Sequence, residues 1–255
     1  MLYYYIKCIY NNMNTVYHPA DTRGHANHGW LDTHHTFSFA GYRDPERMHF
    51  GVLRVLNDDR VAGGRGFGSH PHDNMEIVSI PLSGDLEHRD NMGNTTVIRE
   101  GDIQVMSAGT GVVHSEKNKH ADRPVEFLQI WIFPDRRNVE PRYDQVRIAA
   151  ATEEDGWQTV LTGRDEAREG TVWIHQDARF RIAKLDAGAA ATYSARSGDY
   201  GVYFFVLEGS ATVGDQEVGR RDGLGVTEAT RIAVNAGEEG ARILAMEVPM
   251  QLPAQ

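Results

Sequence analysis

The chain has a single cysteine, Cys8, so no disulfide can form within it, and a reducing, cytoplasmic setting is the expectation. It has no run of about 18 apolar residues, so no membrane-spanning helix is expected. It has no excess of positive charge: 26 Lys and Arg against 36 Asp and Glu leave a net charge of −10. That balance argues against direct binding of nucleic acid, which needs a basic surface. A long amphipathic helical pattern is also missing. The opening residues 1–10 are apolar, but Lys7 interrupts them and no small-residue cleavage site follows, so they do not read as a signal peptide. Residues 1–13 are expected to be a disordered N-terminal extension, with Met13 as an alternative start.

What is present points to an all-β protein. Twenty-six glycines are spread along 255 residues, as many tight turns require. From Phe50 onward, short apolar segments alternate with turn signals. Expected strands are 36–39, 51–56 (ending at Asn57), 75–82, 85–89, 95–98, 104–106 and 127–133. The charged stretch 135–145, with Pro141 inside it, reads as a linker between an N-terminal domain, 14–134, and a C-terminal domain, 146–255. The second half echoes the first. Tyr203 to Val213 resembles Ile77 to Glu87, with Gly209 in the place of Gly84, and Arg221 to Val226 resembles Glu100 to Val105.

Two short segments carry the chemistry. His70 and His72 are two residues apart, as are His114 and Glu116, and on a strand such pairs share a face. Three imidazoles and a carboxylate aimed into one cavity suit a borderline transition ion better than calcium or magnesium. A lone His-x-His is a weak signal. Here a glycine-rich loop, Gly63 to Gly68, precedes the first pair, and a glycine-rich turn, Ala108 to Gly111, precedes the second. The echo fails at this point, because Ala195 and Ser197 stand where His70 and His72 would be. The chemistry is therefore expected in the N-terminal domain only. His88 reads as a hydrogen-bonding strand residue that could face the cavity, and adjacent His34 and His35 face opposite ways on a strand.

The order Gly64, His70-x-His72, Glu76, Gly84, Gly101, His114, Asn118 resembles the two cupin motifs, with two departures. One more residue than usual separates Glu76 from Gly84, and Ser107 to His114 replaces the usual Pro-x-Gly-x-x-His. Both departures resemble the pirin family. So do the stretches Arg23 to Trp30, His35 to Ala40, Leu53 to Asp59, Asp90 to Asn94, Ser107 to Gly111 and Gln129 to Ile132. The resemblance implies a bicupin fold of two jelly-roll-like β-barrels, with one metal ion in the N-terminal barrel held by His70, His72, His114 and Glu116. Glu76, often a ligand in general cupins, then reads as a barrel-wall residue. Iron is the first choice of metal, with nickel, cobalt, copper, zinc and manganese as alternatives. The implied activity is that of a quercetin 2,3-dioxygenase: a flavonol-like aromatic substrate and O2, with Glu116 as the proton acceptor, in a monomer without a membrane partner. A second class stays open, a metal-binding regulatory protein that acts on protein partners in transcription or metabolism.

Overall fold

The computed structural model describes residues 13–149 and 155–253, so all of the expected extension 1–13 but Met13, Cys8 included, lies outside the described residues. The chain forms two compact units, one of residues 13–22, 155–159 and 180–250, the other of 23–149, 160–179 and 251–253. Among the described residues no helix is long and apolar enough to cross a membrane.

Twenty strands are found among the described residues. β1 is Asn14–His18, β2 Gly24–Asn27, β3 Leu31–His35, β4 Leu53–Val61, β5 Gly66–His72, β6 Glu76–Ser83 and β7 Asp85–Asp90. β8 is Thr95–Arg99, β9 Asp102–Ser107, β10 Val112–Asn118, β11 Val125–Ile132 and β12 Arg142–Arg147. β13 is Trp157–Gly163, β14 Val172–Ile174, β15 Arg179–Leu185, β16 Ala190–Ser194, β17 Tyr200–Val213, β18 Gln216–Val218, β19 Gly223–Thr227 and β20 Arg231–Pro249.

The histidine-bearing unit packs a seven-stranded sheet, ordered β12-β9-β6-β11-β4-β3-β2, with a four-stranded sheet ordered β5-β10-β7-β8. Alternation along each strand sends one set of side chains inward. Part of that inner face is an apolar core: Leu31, Val61, Leu86, Ile98, Val125 and Phe127 cluster together. Another part is polar in a regular way. His35 stands opposite Asn57, Asn57 opposite Gln129, Gln129 opposite Ser79, Ser79 opposite Gln104, and Gln104 opposite Gln145. Six strands thus contribute one polar side chain each to a single row.

That row explains two departures from expectation. β4 does not end at Asn57 but runs on to Val61, because Asn57 and Asp59 point inward to partners. The Asn57 amide oxygen lies 2.9 Å from His35 Nδ1, and the Thr33 hydroxyl donates to Asp59. Asp58 between them points outward to Arg23, 3.2 Å away. The expected strand 36–39 is instead a loop entry. β3 stops at His35, Phe37 is buried, and Ser38 both accepts from the Asp44 amide and donates to its carbonyl.

The other unit has the order β1-β19-β17-β20-β15, with β16 on β20 and β18 on β17. Its core is built on Trp157, Tyr193, Phe204, Leu224, Val226 and Ile243, with a buried carboxylate, Glu247, that accepts from the Tyr193 hydroxyl at 3.0 Å. The units are not divided where the sequence suggested. β1, expected in the N-terminal domain, pairs with β19 in the second unit. The expected linker 135–145 contains the start of β12, which pairs with β9, with Arg142 and Asp144 on one face of the strand and Tyr143 and Gln145 on the other. The echo between halves holds at its turn: Gly84 and Gly209 both have φ of 75°, and a Cβ on either would run into backbone carbonyl of the strand alongside. The second echo shifts by one residue. Strand register pairs Ser79 with Gln104 and Phe204 with Leu224, which makes Arg221 the counterpart of Gly101, and both have positive φ.

Candidate metal centre

β5 and β10 are antiparallel, with His70 directly opposite His114 and His72 opposite Val112. The register shifts between His114 and Glu116, where β5 carries one residue more than β10. Such a bulge bends its strand and re-aims the side chains beside it. The Gly68 carbonyl at the bulge accepts a hydrogen bond from His70 Nδ1 at 2.7 Å, which leaves Nε2 unprotonated and turned toward His114. The two Nε2 atoms are 3.0 Å apart. The ring of His72 stands 4.8 Å from that of His70 and 4.9 Å from that of His114. One ring nitrogen from each of the three lies within 4.8 Å of the others.

Burial keeps the rings of His114 and His72 neutral. It depresses His114 to about 2, with the neighbouring His70, His72 and His88 adding to the effect. It depresses His72 to about 4, helped by His70. Imidazole nitrogens that converge in this way are metal donors. The donor set therefore fits a divalent transition ion.

Glu116 sits deeper. It is fully buried, and burial raises its carboxyl to about 7 against the opposing pull of two hydrogen bonds. Ser79 Oγ donates to one of its oxygens at 3.1 Å and Gln129 Nε2 to the other at 2.7 Å. Both donors belong to the polar row, so the sheet facing β10 holds the carboxylate. Glu116 meets His114 and His88 within 4.8 Å, while the group that includes His70 and His72 does not contain it.

The remaining candidates separate cleanly. Glu76 is on β6 with parity opposite to Ser79, so it points away from Glu116. Ser107 Oγ donates to it at 2.7 Å, the backbone of His175 also supports it, and burial raises it to about 7. It belongs to none of the potential metal groupings found among the described residues. His88 is buried, with Nε2 3.1 Å from Asp90 and Nδ1 without a hydrogen-bond partner among the described residues. It is a hydrogen-bonded strand residue, and its ring lies 5.3 Å from that of His114. Ser79, Gln104 and Gln129 were missed by motif reading. The available signal was a lone polar residue inside an apolar strand, as in Val78-Ser79-Ile80, Ile103-Gln104-Val105 and Leu128-Gln129-Ile130.

A cavity of about 510 Å³ opens on the same inner face, lined in part by Leu31, Phe39, Tyr42, Phe67, His35 and Asp59. Trp131 connects it to the histidines: its ring packs edge-on against Phe39 at 5.3 Å and against His72 at 4.9 Å.

Two β-barrel units of this topology, one with converging histidines and one without, define a two-domain cupin protein. Residues 16–132 match the Pirin family, and residues 160–248 match the family described as quercetinase C-terminal cupin domain. A protein of Escherichia coli K12 named quercetin 2,3-dioxygenase is 41% identical over 90% of this chain and 96% of its own length. A pirin-like protein of Caulobacter vibrioides is 36% identical over 89% of this chain and 96% of its own. The crystal structure of the bacterial pirin YhhW from Escherichia coli, in complex with nickel(II), superposes with a TM-score of 0.86 at 38% identity, covering 94% of this chain and 100% of that one. The chain belongs to the pirin family.

Proposed function

We propose that this chain is a metal-dependent dioxygenase that opens a flavonol ring with O2. One divalent transition ion is held by His70, His72 and His114, with Glu116 as the fourth ligand or as its immediate neighbour. Iron, nickel, cobalt, copper, zinc and manganese all suit the donor set, and ligand chemistry alone does not order them by what a cell supplies. The observation that carries the reading is the convergence of three imidazoles, one of which, His114, also meets the buried carboxylate of Glu116, with Trp131 linking them to an aromatic-lined cavity. Relatives named quercetin 2,3-dioxygenase support the substrate class.

The ion would supply Lewis acidity toward a substrate hydroxyl and a redox-active centre for O2. The protein does the rest. Phe39, Tyr42 and Phe67 offer faces and edges for a flat aromatic ring. Asp59, His35 and Asn57 offer polar partners for ring hydroxyls along the same wall. Glu116 takes the proton of the substrate's enolic hydroxyl. Burial raises this carboxyl, which makes it basic enough to hold the proton it accepts. Ser79 and Gln129 fix its orientation and stabilise the charged form. The deprotonated flavonol is electron-rich, and the overall change is insertion of both oxygen atoms with loss of carbon monoxide.

The test is oxygen uptake together with carbon monoxide release from a flavonol by metal-loaded protein, compared with His70→Ala. Uptake and release that vanish in the variant support the reading. A metal-loaded sample that consumes no oxygen with any flavonol sinks it.

A further inference from the structure

On the outer face of the β2–β3 hairpin, His25 stands directly opposite His34, and Asn27 opposite Asp32. Alternation puts His25, Asn27, Asp32 and His34 on one face and Thr33 and His35 on the other, toward the barrel interior. The outer-face residues are therefore separate from the donors on β5 and β10. The imidazoles of His25 and His34 are stacked, with centroids 4.4 Å apart and planes 15° from parallel. His25 Nε2 lies 2.7 Å from Asp32 Oδ1. One ligand atom from each of the three lies within 4.8 Å of the others. The His25 side chain is 51% exposed and that of Asp32 36%, so an ion can reach them from solvent.

From this geometry we infer a second metal site, in which His25, His34 and Asp32 bind a divalent transition ion such as zinc, nickel or copper on the hairpin surface. Two imidazoles and one carboxylate from three different residue positions form a facial set that leaves positions open to water or to an anionic ligand. The hairpin supplies the preorganisation. Opposed residues of an antiparallel pair hold their Cβ atoms about 5 Å apart, and the diagonal Asp32 is within reach of His25. Charge does not oppose the ion. Asp58, opposite His34, is paired with Arg23 at 3.2 Å, and Arg60, opposite Asp32, leans to Glu126 at 3.4 Å. Asp32 is left as the carboxylate that faces the two rings. A hydrogen bond between His25 and Asp32 alone would serve the hairpin, but it leaves His34 stacked on a second imidazole with no structural return.

Zinc titration of tag-free protein, followed by calorimetry and by metal analysis after gel filtration, tests the site. Wild type should take up about two equivalents, the second more weakly, and His25→Gln/His34→Gln should take up about one. His70→Ala/His114→Ala should retain about one equivalent, which Asp32→Asn then weakens. That retained equivalent separates this site from the interior centre, whose failure would leave it untouched. Histidine side-chain NMR gives a readout independent of stoichiometry: zinc should shift His25 and His34 together. Equal uptake by wild type and the folded His25→Gln/His34→Gln variant, or no zinc-dependent shift at His25 and His34, overturns the inference.

Discussion

In the first barrel Gln129, Ser79 and Gln104 stand opposite one another across three strands; in the second, the same register positions hold Ala245, Phe204 and Leu224. Around Phe204 the second barrel closes with aromatic side chains. Tyr193 meets it edge-on at 5.7 Å, and Trp157 meets Tyr193 edge-on at 5.1 Å. The first barrel keeps a carboxylate held by side-chain donors in the opposite sheet, and three imidazoles that converge on one another. One architecture thus serves two ends. Filled with apolar rings it gains burial and dispersion; lined with polar rows it gives up part of that gain to hold groups water would otherwise scatter. Gln104 shows the cost, since neither atom of its buried amide finds a partner among the described residues.

The contrast can be broken first at the imidazoles. His114→Ala should lose the interior metal and lower flavonol turnover ~100-fold or more, read by metal analysis and oxygen uptake on one sample. Glu116→Gln removes the proton acceptor and should lower kcat by ~100- to 10,000-fold, with the larger loss in kcat than in KM. Ser79→Ala and Gln129→Leu leave the carboxylate present but unheld. Each should cost ~10- to 100-fold in turnover or metal affinity, and melting curves near wild type would show that folding is not the cause.

Two stability measurements sharpen the same comparison. Phe204→Ala opens a cavity in the second barrel and should cost about 3–5 kcal/mol in denaturant unfolding, while turnover per folded molecule stays at the wild-type level. A turnover loss as large as that of Ser79→Ala would mean that the second barrel carries part of the chemistry. The smallest effect concerns Glu76. Burial raises its pKa from 4.5 to about 7, so the folded protein binds that proton more tightly than the unfolded chain. Its contribution is fully present below about 4.5 and is lost as pH rises through about 7, by on the order of 3 kcal/mol. Glu76→Gln should flatten that part of the stability profile, and an unchanged profile would contradict the assignment.

Much of this was legible in the sequence. The all-β class, the repeat, the paired His and Glu spacings and the absence of a His-x-His pair from the second half are local patterns. What was not legible depends on pairing between strands far apart in the chain. Asn57 and Asp59 look like the end of a strand because such residues usually make turns, and only their partners His35 and Thr33 show why β4 continues. The stretch 135–145 looks like a linker because nothing in it says that Arg142 pairs with Ser107. The placement of Asn14–His18 beside β19, about 200 residues downstream, is likewise set by register and not by composition.

The central claim is that the first barrel does the chemistry because three imidazoles converge there beside a buried carboxylate, whereas the buried carboxylate of the second, Glu247, is met by Tyr193 and Arg196. Metal content and flavonol-dependent oxygen uptake, measured on tag-free protein purified without added metal and on His114→Ala prepared in parallel, test it most directly. The account predicts about one tightly held equivalent and oxygen uptake in wild type, and neither in the variant. His114→Ala that keeps its tightly bound metal and turns over a flavonol at the wild-type rate would contradict it.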